Sequence, residues 1–367
     1  MSEIDIAALL SYHPDPAAVH RRLLRDAERL YGWGQVVERH QPVLASMHGQ
    51  MRKFYLYPTF DCPLRCPYCY AEGGERHVDE LDADAFLRIT SEAVDAGFES
   101  VVLVGGEPLV YYDFDRYLAG LDSIDRGSCE FVLRTSFGFP VDDVLIGRIC
   151  DAFDEIVVSI DGDEQTHDAV RGHGTWQHVT KNALRAIELG GHVSVNAVMT
   201  REQRKGEPGA FLRGFCKEHD IEKLVISAPV PLGRAAGTIV PQYEWRSDAK
   251  QGLSLEPKFS CGIGHSLYMQ PDGSVYPCYA WCEKEHQLGD LSRESLFAIL
   301  ERTELLAIAN SGVDTNEKCH DCEVRYLCGG VCKIYVRNKH DINSGDFDCS
   351  EIKQHLLDSL VNHGISV

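Results

Sequence analysis

Six short apolar runs rich in β-branched residues punctuate the first two-thirds of the chain, at 54–59, 100–104, 130–135, 155–160, 192–199 and 223–228. Runs of that length and composition read as buried strands. The stretches between them are long enough for helices. Residues 82–96 and 180–189 repeat apolar positions at three-and-four spacing, and 142–153 do so less regularly. Alternating strands and helices predict an α/β fold, here six parallel strands with right-handed crossovers in an open or partial (β/α)6 barrel. Chemistry in such a barrel belongs at the C-terminal strand ends, where the βα loops gather.

Either side of residues 53–236 the pattern changes. Residues 1–52, strongly helical in pattern over 15–31, read as a short helical extension. After Ala236 comes a Gly/Pro-containing connector, 237–260, and then a C-terminal domain, 261–367. That domain shows a hairpin around Gln270-Pro271-Asp272-Gly273, one helix near 293–310 and a cysteine-rich end. So little apolar periodicity implies that metal rather than a core holds this end together.

Composition narrows the field. The formal charge is -20, from 36 basic against 56 acidic residues, and no Lys/Arg cluster is long enough to track a phosphate backbone. Nucleic acid is therefore an unsuitable substrate. The start Met-Ser-Glu-Ile-Asp has no basic region ahead of an apolar stretch, and no run of eighteen apolar residues occurs, so the expectation is a cytoplasmic protein without a membrane span. Fourteen cysteines in such a chain point to metal or redox chemistry rather than disulfides. Cys129, Cys150 and Cys216 stand alone in apolar stretches and read as small buried hydrophobes.

Directly after the first expected strand runs Asp61-Cys62-Pro-Leu-Arg-Cys66-Pro-Tyr68-Cys69, which gathers three thiols in one loop. A structural zinc site or a simple ferredoxin cluster wants four protein ligands; three leave one iron of a 4Fe-4S cluster open. The alternative is half a zinc site completed elsewhere, for instance by His77. The three-then-two spacing with an aromatic before the last cysteine resembles the motif of the radical S-adenosylmethionine (SAM) superfamily. The resemblance implies that Cys62, Cys66 and Cys69 bind a 4Fe-4S cluster whose unique iron is chelated by SAM, that Tyr68 lies against the adenine, and that reductive cleavage of SAM yields a 5'-deoxyadenosyl radical. It extends to Gly105-Gly106-Glu107-Pro108 after the second strand, where glycines let backbone acceptors approach the SAM ammonium and Glu107 adds a carboxylate. It also covers Ser159-Ile160-Asp161-Gly162 and Arg171, with the serine bonding SAM and the arginine pairing with its carboxylate. Thr135, Ser136 and Asn196 are candidate ribose or methionine contacts or members of a polar core layer. Pro231-Leu-Gly-Arg234-Ala is placed by the resemblance near the adenine.

The later cysteines, Cys261, Cys278, Cys319, Cys322, Cys328, Cys332 and Cys349, resemble the SPASM extension of the same enzymes, with the two-five-three spacing of 319–332 intact. In the pattern this implies, Cys319, Cys322, Cys328 and Cys349 hold an outer auxiliary 4Fe-4S cluster, and Cys261, Cys278 and Cys332 an inner one. A zinc ribbon is the alternative. Some relatives have a further cysteine where this chain has Leu255, so the inner cluster has an open iron or a fourth ligand from Cys282; that cysteine otherwise reads as an inert thiol or a hydrogen-atom donor. The resemblance spans about residues 54 to 355. It implies an oxidoreductase-type enzyme that abstracts a hydrogen atom, most readily from a ribosomally made peptide, with crosslinking, oxidation or epimerisation as outcomes. A small molecule such as an aminocyclitol or sugar is the second reading, and a passive iron-sulfur or zinc carrier the third. A flavodoxin or ferredoxin-type reductant is the implied partner. Where sulfatase-activating relatives have a basic aspartate after the cysteine matching Cys278, this chain has Tyr279.

Overall fold

The computed structural model describes residues 47–75, 78–237, 258–322 and 324–330, with positions 332, 349, 350, 353 and 356. The expected helical extension, apart from 47–52, and His77 lie outside the described residues. Six strands follow in order, β1 (Lys53–Leu56), β2 (Ser100–Leu103), β3 (Glu130–Thr135), β4 (Glu155–Ser159), β5 (Val193–Val198) and β6 (Leu224–Ser227). Each pairs in parallel with the next, which gives an unclosed α/β barrel. Between them lie α1 (Ala83–Asp95), α2 (Phe114–Gly120), α3 (Asp143–Ala152), α4 (Glu164–Arg171), α5 (Thr175–Glu188), α6 (Arg201–Lys205) and α7 (Glu207–Glu218).

Local chemistry explains the starts. Asp82, Asp142 and Asp163 cap α1, α3 and α4, each side chain accepting from a backbone N–H one turn in, and Thr200 and Gln203 form a reciprocal capping box at α6. The core lies between strands and helices: Phe54, Leu56 and Leu133 from the sheet, and Phe86, Ile89 and Ala93 from α1, are fully buried. On the opposite face of the strands, Val102, Val132 and Val157 cluster with Tyr55 inside the barrel.

The expected hairpin forms as β7 (Ser266–Met269) and β8 (Ser274–Tyr276), followed by β9 (Gly289–Asp290). β7 also joins the free edge of β1 in parallel, so one nine-stranded sheet runs β6-β5-β4-β3-β2-β1-β7-β8-β9. The single helix expected near 293–310 is two, α8 (Leu296–Leu300) and α9 (Thr303–Ala309). A further helical turn, α10 (Arg325–Cys328), carries Cys328. By packing, the described residues divide into two compact units, one of 47–237 with 264–306 and one of 258–263 with those from 307 onward. Among the described residues no helix is long and apolar enough to cross a membrane.

Candidate functional site

The cysteine loop leaves β1 and is fastened from three directions. From β2, the Gly106 N–H donates to Thr59 O and the Glu107 N–H to Asp61 O, at 2.9 and 2.8 Å. A Cβ on Gly106 would overlap the carbonyl oxygens of Phe60 and Asp61 and lie 2.6 Å from the Phe60 carbonyl carbon, so only glycine fits there. After β6, Gly233 (φ +54°) lies so close to the Cys69 and Tyr70 carbonyls that a Cβ would strike them, and the Arg234 N–H donates to Cys69 O. The Arg234 guanidinium donates to Cys66 O at 2.8 Å and to Gly73 O at 2.7 Å. From within the loop, the Leu64 N–H points at Cys62 Sγ at 3.4 Å.

Burial pushes the Cys62 thiol up to about 12 and raises Cys66 as well, with Cys66 and Cys69 among the groups acting on Cys62. The three thiols therefore share one neighbourhood. A donor set of three such sulfurs with an N–H turned toward one of them suits an iron-sulfur cluster, in which each thiolate takes its own iron. Among the described residues, no three His, Cys, Asp or Glu side chains converge on a single ion.

The residues expected to contact SAM lie at the strand ends and in the loops around β1–β5, and most of them hold one another. Glu107 is fully buried; its carboxylate accepts from Thr135 Oγ1 (2.7 Å) and from Ser136 N and Oγ (2.8 and 2.6 Å), while burial raises its carboxyl against those bonds. Instead of a free carboxylate aimed at a ligand, Glu107 ties the end of β2 to the end of β3. Pro108, itself buried, opens a 3-10 turn beside it. Arg171, 8% exposed, donates through Nε to Asp161 Oδ2 at 2.6 Å and lies over the Tyr68 ring at 5.6 Å, while the Tyr68 hydroxyl also donates to Asp161. Asp161 Oδ1 accepts from Val198 N at 2.7 Å. One buried carboxylate thus joins the cysteine loop, β4, α4 and β5. That hub was not singled out in the sequence; an aspartate directly after a strand and before a glycine was its only signal. Next to it, His167 is fully buried, Nδ1 accepting from the Asp161 N–H at 3.2 Å, and burial lowers its pKa to about 4.

Two candidates remain available. Ser159 and Asn196 stand opposite each other in the β4–β5 register, both partly exposed, and neither side chain has a hydrogen-bond partner among the described residues.

In the cysteine-rich unit, Cys319, Cys322 and Cys349 all act on the thiol of Cys328, which burial pushes up to about 11, so the four expected outer ligands stand together. Cys322 N donates to Cys319 O at 2.9 Å. Cys261 is exposed and Cys332 partly buried. In the barrel unit, Cys278 lies just after β8 with the Ala280 N–H on its sulfur at 3.4 Å, and burial pushes Cys282 up to about 12, with its sulfur 3.5 Å from Cys278 O. Tyr279 packs edge-on against Tyr70 at 5.1 Å.

Comparison with known proteins matches both cysteine-bearing parts of the chain. A profile of the Radical SAM superfamily matches residues 56–213, and one of an iron-sulfur cluster-binding domain, SPASM, matches 261–323. The chain is 27% identical over 329 residues to a serine-type anaerobic sulfatase-maturating enzyme of Klebsiella aerogenes, covering 75% of this chain and 78% of that one. It is 24% identical over 322 residues to the PqqA peptide cyclase of Methylorubrum populi, covering 75% and 78%. Among solved structures, Streptococcus suis SuiB bound to S-adenosylmethionine shares the fold at TM-score 0.63 and 20% identity, over 77% of this chain and 73% of that one. The structure of anSMEcpe with bound AdoMet and a Kp18Cys peptide shares it at 0.64 and 15%, over 86% and 99%.

Proposed function

Because this chain belongs to the radical SAM superfamily and carries a SPASM iron-sulfur domain, we propose that it modifies a ribosomally made peptide by abstracting one hydrogen atom, through crosslinking, oxidation or epimerisation. Bound together, a 4Fe-4S cluster and SAM supply a 5'-deoxyadenosyl radical, which takes that atom. Cys62, Cys66 and Cys69 would hold the cluster. Ser159 and Asn196, with side chains unengaged at adjacent strand ends, would meet the polar parts of SAM. Tyr68 and Arg171, pinned by Asp161, and the turn Gly105–Pro108, pinned through Glu107 to Thr135 and Ser136, would wall the same space. A rigid wall matters here, since a carbon radical loses selectivity wherever water or a loose side chain reaches it. Cys319, Cys322, Cys328 and Cys349, and Cys261, Cys278 and Cys332, would carry two auxiliary clusters, and a flavodoxin or ferredoxin-type protein would supply the electron.

The observation that carries this reading is the loop of three neighbouring thiols fastened from β2 and β6 beside free polar groups on β4 and β5. Peptide as the substrate class is supported by relatives named as a sulfatase-maturating enzyme and a peptide cyclase. Tyr279, in the place of an aspartate, argues against formylglycine formation. Anaerobic reconstitution followed by dithionite and SAM tests the proposal: wild type releases 5'-deoxyadenosine and Cys69→Ala does not. Wild type that releases none under these conditions is a passive cluster carrier, and the reading is wrong.

A further inference from the structure

The inside of the barrel holds two cations, of which Arg134 has no acid partner among the described residues. Alternation along β3 puts Glu130, Val132 and Arg134 on one face, and Val132 belongs to the interior cluster with Val102, Val157 and Tyr55. The register confirms the placement, with Arg134 opposite Val157 and Tyr55 opposite Val102. Two residues before Tyr55 on the same face of β1 stands Lys53. Arg134 Nε is buried and has no hydrogen-bond partner, and its guanidinium carbon lies 6.0 Å from the Tyr55 ring centre. Among the described residues neither cation has an ion pair. Glu155 and Glu130 act on Lys53 from a distance, but Glu155 is committed, accepting from Lys223 Nζ at 2.6 and 2.9 Å and from Ser194 Oγ at 2.6 Å.

A chain with 56 acidic residues against 36 basic ones has carboxylates to spare, yet among the described residues none forms an ion pair with Arg134. A buried polar nitrogen without a partner costs roughly 1–3 kcal/mol, and more when charged. The cost is met only when something outside the chain supplies the acceptor. Around the cations the walls are tyrosine rings. Tyr55 stacks on Tyr268 at 4.5 Å, Tyr268 meets Tyr279, Tyr279 meets Tyr70, and the Tyr70 and Tyr57 hydroxyls share a bond of 2.8 Å. Arg134 and Lys53 are near enough to repel each other, and Arg134 also acts on Tyr70, the residue directly after Cys69. The cationic floor and the cysteine loop therefore face one aromatic chamber.

We propose that Arg134, assisted by Lys53, receives a carboxylate of the substrate peptide, the side chain of an Asp or Glu close to the residue that loses hydrogen. This rests on the peptide reading above and narrows it. A planar guanidinium grips a carboxylate through two parallel bonds, and the adjacent ammonium adds a point charge. Aromatic walls suit the apolar stem of such a side chain. Arg134 is a specificity-determining residue in this scheme.

The test uses the reconstituted, SAM-loaded enzyme under anaerobic conditions and fluorescence anisotropy with two probes, dansyl-Gly-Glu-Gly-amide and dansyl-Gly-Gln-Gly-amide. Wild type is expected to bind the Glu probe about tenfold more tightly, the worth of one charge-assisted contact. Arg134→Gln abolishes the preference, Arg134→Lys keeps part of it, and Lys53→Gln weakens it. The surface variant Arg116→Gln retains it in full. Equal affinities in wild type, including no binding of either probe, overturn the proposal. So does an Arg134→Gln enzyme that loses SAM affinity instead of probe preference, since the cation would then serve the methionine carboxylate of SAM. Release of 5'-deoxyadenosine by the same wild-type sample keeps the two readings apart: product without probe preference sinks the pocket alone, and absence of product sinks the radical chemistry.

Discussion

Replacing Asp161 by Asn changes one oxygen for an amide and removes one charge, and the structure says what that does. Oδ1 keeps its bond from Val198 N. At the other position an NH2 group now faces two donors, Arg171 Nε and the Tyr68 hydroxyl. The tyrosine can turn and accept, but the arginine cannot. Asp161 is 1% exposed and Arg171 8%, so the guanidinium is left buried without its counter-charge. Breaking a buried pair from one side costs about 3–5 kcal/mol. The barrel unit is of a size at which 1 kcal/mol moves the melting midpoint by about 2–4 °C, so the variant should melt on the order of 10 °C below wild type. Anaerobic calorimetry of reconstituted, SAM-free protein measures it. Asp161→Asn combined with Arg171→Met should cost less than the two single changes added together, because the second change removes the stranded charge. A single variant within about 2 °C of wild type, or a double variant whose losses simply add, would show that the carboxylate is not what holds Tyr68 and Arg171.

Other consequences are as concrete. Gly106→Ala forces apart two backbone segments in contact, so reconstituted protein should lose about four of roughly twelve irons per chain and melt lower, as read by iron assay and calorimetry; unchanged iron content refutes the fastening role of that glycine. His167, held neutral by burial and by Arg171 against the pull of Asp161 and Asp168, binds its proton only near pH 4, whereas an unfolded histidine binds one near 6.5. Its folded value is depressed, so stability is complete above about pH 6.5 and declines as pH falls toward 4, by about 2 kcal/mol at pH 5. His167→Asn, which keeps an acceptor for the Asp161 N–H, should flatten the melting-point profile between those values, and parallel profiles would sink that account.

The barrel was legible because each strand carries its own short apolar run between amphipathic segments. Five of the six strands fall within the runs read from sequence and β1 starts one residue ahead of its run, while the three helices marked by periodicity formed with shifted ends. Helices with weaker patterns, such as α4 with its charged sequence Glu-Gln-Thr-His-Asp-Ala-Val-Arg, were not read as helices. The pairing of β7 with β1 was not legible either: four residues, Ser-Leu-Tyr-Met, have no period that could name a partner two hundred positions away. At the site, local motifs located the thiols, the Gly-Gly-Glu-Pro turn and the Ser159 strand end. Whether Glu107 and Arg171 face a ligand or each other's neighbourhood depends on contacts with Thr135, Ser136 and Asp161, and no spacing encodes those. Arg134 could have been suspected from β3 itself, where a charged residue shares the face of Val132.

The clasp formed by Arg234 has a temporal meaning. Its guanidinium reaches Cys66 O across 168 positions of chain, so the loop bearing the first three cysteines is made early on the ribosome and fixed late. Until the last barrel strand has emerged, nothing restrains that loop from the β6 side, and its sulfurs are open to oxygen or to the wrong metal. Iron delivery to this protein is therefore best timed to the finished chain, and truncations ending before Arg234 should be poor at retaining a cluster even though every one of its cysteines is present.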